Sequence, residues 1–211
     1  MVGVCLGSAQ KGQWSELFAV PAGRHPEPEE VIAHPHLPAL LALRHLLLGF
    51  LLRCGLGQHG LGAGVGLGTG CGGGITMLRN IHRGANRIAG EWGHHCLVPG
   101  GRECYCGNRG CTEAYISGTA LEKEWFELSG EKSRVTDIID NGKNKNHPEW
   151  KENFLKNFGR GLANVIDILD PHAIVIGGGL SRIDFLYTEG KESVYKETFS
   201  KIVRTPILKN K

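Results

Sequence analysis

Three cysteines fall within eight residues, Cys104-Tyr105-Cys106-Gly107-Asn108-Arg109-Gly110-Cys111, and a histidine pair, His94-His95, precedes them. No other stretch of the 211-residue chain restricts its local fold so tightly. A structural zinc ion takes four thiolate or imidazole ligands in a closed tetrahedron. Gly107 and Gly110 let so short a loop turn back on one ion. His94 and His95 compete for the fourth position, and Cys96 is a spare thiol. The alternative reading is a disulfide or unpaired core cysteines, but a bridge within Cys-x-Cys would be strained. Seven cysteines in a chain without a charged, then apolar, leader fit a reducing compartment. We therefore expect a metal site and a cytoplasmic location.

Charge and hydropathy exclude some classes. The net charge is +3 and the basic residues are dispersed, which makes no case for a nucleic-acid partner. The most apolar stretch, Leu37 to Leu52, is broken by Pro38, Arg44, His45 and Gly49. It is too short and too interrupted for a membrane span.

Two kinds of text are joined in the chain. Between Val31 and Gly90 there is no Asp or Glu, and the first Asp of the sequence is Asp137. Five of the ten histidines lie between His25 and His59 among Pro, Leu and Arg. We read residues 1–60 as an atypical segment, out of register with the rest of the chain and without a packed structure. From about Gly62 the pattern becomes ordinary.

Val65-Gly66-Leu67 reads as a strand entering a glycine turn over Gly68 to Gly74, with Ile75 to Leu78 returning as a hairpin. Thr119 and Glu122 form a capping-box pattern, and Leu121, Trp125, Phe126 and Leu128 supply the buried face of a helix. A polar linker spans Asn141 to His147. Trp150, Phe154, Leu155, Phe158, Leu162, Val165, Ile166 and Leu169 recur at three- and four-residue steps, which predicts a helix over 150–169 stopped by Asp170-Pro171. Ala173 to Ile176 suits a strand covered on both faces, followed by Gly177-Gly178-Gly179 and a further helix. This is an α/β domain.

Gly68, Gly70 and Gly73 satisfy G-x-G-x-x-G, but a dinucleotide site needs a helix to begin at the glycines. Ile75 to Leu78 reads as a strand instead. The glycines remain a phosphate-binding candidate through their backbone N–H groups.

Several motifs together resemble the ROK family of sugar kinases and repressors. They are Gly90-Glu91-Trp92-Gly93-His94, then Cys104-x-Cys106-Gly107-x-x-Gly110-Cys111-x-Glu113, the turn Leu67 to Gly74, and Asp170-Pro171 with Ile174 to Gly179. The likeness covers about residues 62–211. It implies an actin-like, ribonuclease H-like ATPase fold with a zinc-binding loop. It implies zinc on His94, Cys104, Cys106 and Cys111, and sugar contacts from Glu91, His94 and Glu113. Nucleotide contacts would come from Gly68, Thr69, Gly70, Cys71, Gly72, Gly73 and Gly74, and from Gly177, Gly178 and Gly179. ATP and magnesium would serve as cofactors, a hexose as partner, and a homodimer as the assembly.

Trp92 after Glu91 and Cys71 inside the turn look most like bacterial fructokinases, which implies fructose converted to fructose 6-phosphate. The family's catalytic Asp and its N-terminal Asp-x-Gly-Gly-Thr phosphate segment find no counterpart here. Its closing glycine-rich helix finds none either, so we expect a domain incomplete at both ends and inactive alone. A sugar-sensing regulator and a non-catalytic zinc-stabilised sugar-binding module are the alternatives.

Overall fold

The computed structural model describes residues 60–78 and 80–210. The expectation of an unpacked segment before Gly60 lies outside the described residues. Five strands, β1 (Leu61–Leu67), β2 (Cys71–Met77), β3 (Asn80–His82), β4 (Ala173–Gly177) and β5 (Ile207–Lys209), form one mixed sheet in the order β3-β2-β1-β4-β5. β1 pairs antiparallel with β2, β2 antiparallel with β3, and β4 lies parallel between β1 and β5. All five residues of β4 are buried, as its unbroken apolar run requires of a strand with neighbours on both edges.

The hairpin differs from the sequence reading in where it turns. Its loop is only Gly68 to Gly70, and Cys71 to Gly74 already belong to β2, with Leu67 opposite Cys71 and Gly64 opposite Gly74. No helix starts at these glycines, so the dinucleotide pattern is spurious. Their backbones continue the sheet ladder, which a strand pattern based on side chains cannot register.

The helices are α1 (Glu113–Ile116), α2 (Gly118–Ser129), α3 (Val135–Asp140), α4 (His147–Leu169) and α5 (Glu189–Glu197). α4 begins a turn earlier than its apolar period, with Pro148 in its first turn, and ends at Asp170 in a left-handed conformation. Trp150, Phe154, Phe158 and Leu162 on it are fully buried. Each such side chain contributes about 1.5–3 kcal/mol relative to exposure. Trp125 of α2 meets Trp150 edge-on with ring centroids 6.2 Å apart, and Phe154 and Phe158 continue the stack at 6.3 Å.

The capping box expected at Thr119 and Glu122 does not form. Ser117 is the cap, accepting from the Ala120 N–H at 3.2 Å. Thr119 instead donates to the Thr69 carbonyl, and Glu122 accepts from the Val135 N–H. Phe126, placed on the buried face by its spacing, is 45% exposed. Among the described residues no helix is long and apolar enough to cross a membrane.

Candidate metal centre and nucleotide cleft

The loop between Cys96 and Cys111 is built on backbone hydrogen bonds and two isolated bridges, Cys96 with Cys111 and Glu103 with Arg109. The Gly110 carbonyl accepts from both Leu97 and Val98, and its N–H donates to the Arg102 carbonyl at 2.7 Å. Gly107 and Gly110 both have positive φ, 89° and 79°, a backbone that side chains disfavour. Arg102 fastens the loop to the helices. It ion-pairs with Glu124 at 3.4 Å and stacks on Tyr115, with 4.9 Å from guanidinium to ring centroid.

This folding brings together His94, Cys104, Cys106 and Cys111, with all four ligand atoms within 4.8 Å of one another. Cys104 Sγ lies 3.7 Å from His94 Nδ1, and Cys106 Sγ lies 3.6 Å from Cys111 Sγ. A zinc tetrahedron with bonds near 2.3 Å to sulfur and 2.0 Å to nitrogen has edges of about 3.5–3.8 Å. The donor set and its spacing fit the ion. His95 is committed elsewhere: its Nδ1 donates to the Trp92 carbonyl, which can only accept, so Nε2 is left to accept from Asn164 Nδ2 at 2.9 Å. That tie joins the loop to α4. Cys96 stands outside the quartet and is exposed.

Burial pushes the Cys111 thiol up to about 12, with the neighbouring sulfurs adding to it, and burial also raises Cys104. For Cys106 the burial effect is outweighed by hydrogen bonds, led by the Asn108 backbone, and its value falls. Three crowded thiols cannot all ionise without a counter-charge, which is what a divalent cation supplies.

Beside the quartet stand the two carboxylates. Glu113 is buried in α1 and accepts the Cys71 N–H at 2.7 Å. Glu91 precedes the 3₁₀ turn Trp92–His94 and edges an apolar cavity of about 370 Å³ between the sheet and α4. Both act on the same neighbours. After burial itself, Glu113 and then Glu91 hold the Cys71 thiol above its ordinary value, and both contribute to raising the Tyr105 hydroxyl. Tyr105 is the residue that sequence reasoning missed. Its hydroxyl lies 3.0 Å from His94 Nε2, the ring nitrogen that does not face Cys104. An aromatic residue between two ligands of the Cys-x-Cys pair was the available signal.

The turn Trp92–His94 lies on the backbone of β2. A Cβ on Gly93 would stand 2.0 Å from the Cys71 carbonyl oxygen. Trp92 Nε1 donates to the Gly72 carbonyl at 2.8 Å. Cys71 to Gly74 thus serve this packing, whereas Gly68 and Thr69 open into a second cavity of about 1090 Å³. Gly178 and Gly179, just beyond β4, line the same cavity, as do Arg134 and Arg182. Gly177 closes β4 opposite Gly66, and Gly70 lies against the Glu113 carboxylate. The two glycine clusters singled out in the sequence therefore meet across one cleft, each through its end residues only.

The sequence pattern of the ROK family matches residues 58–210. The chain belongs to the ROK family. Among curated relatives of this ROK chain, the N-acetyl-D-glucosamine kinase of Histophilus somni is 33% identical over 165 residues, covering 72% of the chain and 54% of that protein. A solved ROK-family glucokinase from Streptomyces griseus, in complex with glucose and AMPPNP, superposes with a TM-score of 0.69 at 24% identity, over 79% of this chain and 61% of the other. A ROK-family transcriptional regulator homologous to the MLC protein of E. coli gives 0.67 at 20% identity, over 79% and 46%. These likenesses show the expected fold, a mixed α/β sheet of the actin-like ATPase type. The chain spans about half the length of the curated relatives it matches.

Proposed function

We propose that this chain is the zinc- and nucleotide-bearing lobe of a sugar kinase that phosphorylates a hexose with ATP. One observation carries the reading: the cleft lined by Gly68, Thr69, Gly178 and Gly179 lies in the same fold unit as the His94–Cys111 quartet and its paired carboxylates. Backbone N–H groups at glycine turns suit phosphate oxygens, and magnesium bound with the nucleotide would neutralise phosphate charge. Zinc would sit on His94, Cys104, Cys106 and Cys111 and hold the loop that presents Glu91 and Glu113. Carboxylates accept strong, directional hydrogen bonds from sugar hydroxyls. The N-acetyl-D-glucosamine kinases among the relatives favour an N-acetylated hexosamine over fructose, and the lean toward fructose gives way.

Phosphoryl transfer also needs a group to take the hydroxyl proton. The ROK resemblance puts that group on an Asp upstream of the glycine turn, and no Asp precedes Asp137 in these 211 residues, so this polypeptide by itself is expected to bind without turning over. Calorimetry on it with magnesium and AMPPNP, then with N-acetylglucosamine, glucose and fructose, tests the reading. The expected order puts N-acetylglucosamine first, with heat lost in Glu91→Gln. A preference for fructose would return the substrate to that sugar, and no nucleotide binding at millimolar concentration would sink the kinase reading. A coupled assay beside an intact relative should show no turnover. A rate within tenfold of that relative would mean that another residue serves as the base. DNA binding in a shift assay would favour the regulator.

A further inference from the structure

The turn that opens into the nucleotide cleft does not hold itself in place. Its one internal backbone bond runs from Gly68 N–H to the Gly70 carbonyl at 3.0 Å. Besides the β1–β2 ladder that brackets it, three bonds reach the turn and the first residue of β2 from the segment Glu113–Thr119. Glu113 Oε2 accepts the Cys71 N–H at 2.7 Å, the Gly118 N–H donates to the Gly68 carbonyl at 2.6 Å, and Thr119 Oγ1 donates to the Thr69 carbonyl at 2.9 Å. That segment starts two positions after Cys111, the last thiol of the quartet. The carboxylate presses against the turn so closely that a Cβ on Gly70 would stand 2.7 Å from Oε2.

We infer that Glu113 is a positioning residue that transmits the order of the metal loop to the nucleotide turn. The inference rests on the zinc and nucleotide reading proposed above. A hydrogen bond to a charged, buried acceptor is stronger than a neutral one, and leaving that acceptor without its donor is costly. The Cys71 amide and the Glu113 carboxylate therefore order each other. Closing the quartet fixes Cys111, which fixes Glu113 two residues on, which fixes the turn. By linkage, a nucleotide that orders the turn must tighten the metal loop by the same factor.

Amide hydrogen exchange over Gly68–Cys71, with and without a zinc chelator, tests this without any assay of catalysis. Chelation should raise exchange in that turn by ~10-fold or more, together with exchange in the loop. Glu113→Leu fills the same space without an acceptor, and Glu113→Gln keeps a carbonyl acceptor. With zinc still bound at one equivalent, the Leu variant should already show the raised exchange and weaken a fluorescent ADP analogue by ~10-fold, with under ~2-fold further change on chelation. The Gln variant should stay within ~3-fold of the wild type in both readouts. If the Leu variant does not fold, Thr119→Val, which removes the bond to the Thr69 carbonyl, should raise exchange at the bonded Gly68 and Cys71 amides, and Thr119→Ser should restore protection. A turn that stays protected while the chelated loop exchanges freely overturns the inference, as do Leu and Gln variants that behave alike. A turn that responds as expected in a protein that binds no ADP keeps the coupling and removes the nucleotide reading.

Discussion

Helix α4 and the metal loop sit side by side, joined by the bond between His95 and Asn164, yet they are held by different forces. α4 runs for 23 residues and buries Trp150, Phe154, Phe158 and Leu162 completely. Its stability comes from apolar area withdrawn from water and needs no ligand. The loop has two isolated bridges, three positive-φ glycines and an exposed Arg109–Glu103 pair. Such a surface pair contributes little. Besides its own backbone hydrogen bonds, the loop is tied to the rest of the domain by Arg102 and His95, and four potential ligand atoms converge in it. One region is held by burial; in the function proposed above the other is held by coordination and carries the sugar-facing carboxylates.

The largest test of that contrast is Phe154→Ala. It should cost about 3–5 kcal/mol in chemical denaturation, enough to unfold much of the domain, and added zinc should not restore it. A loss under about 1 kcal/mol, or rescue by zinc, would mean that α4 is not the independent partner.

Next is the metal itself. Chelation should leave the far-ultraviolet helix signal nearly intact. With Cys104 and Cys111 both raised by burial, each carries its proton at neutral pH when no ion is bound. Binding expels at least those two protons, so zinc affinity should climb roughly 100-fold per pH unit between pH 6 and 8 and fall as steeply on acidification. Competition titrations with a zinc dye would read the slope. Less than one decade per pH unit would show that these thiols are not the ligands.

The smallest effect sharpens the boundary between the two regions. Asn164→Leu removes the donor to His95 Nε2 and should cost about 1–2 kcal/mol while weakening zinc by ~10-fold. Thermal melts and the same dye titration would measure both. An unchanged zinc affinity would separate the helix from the loop altogether.

The contrast also explains what could be read in the sequence. α4 and β4 were legible because burial leaves a period or an apolar run, and the quartet because coordination restricts residue type. The choice of His94 over His95 came from the family resemblance alone, since in the residues themselves it depends on Trp92 and Asn164 occupying the second ring. β5 has three residues and exists because Ile207 to Lys209 dock beside β4. α3 lies between exposed residues, and only Val135 and Ile138 are buried in it. The turn is shorter than its run of glycines suggests, because the glycines of β2 carry no side-chain pattern. Thr119 looked like half of a capping box, and its bond to Thr69, fifty residues away, has no local trace.

The parallel pairing of β1 with β4 has a consequence in time. Leu61 exchanges hydrogen bonds with His172 across a separation of 111 residues. The antiparallel hairpin of β1 and β2 can close within microseconds of leaving the ribosome. Its other edge then waits while the loop, α2 and α4 are made, roughly 5–20 s at ordinary synthesis rates. Throughout that interval β1 presents unpaired backbone groups on a nearly unbroken apolar strand, a template for joining another chain. Slowing synthesis between β2 and β4 should therefore raise the share of this polypeptide that associates before its sheet is complete.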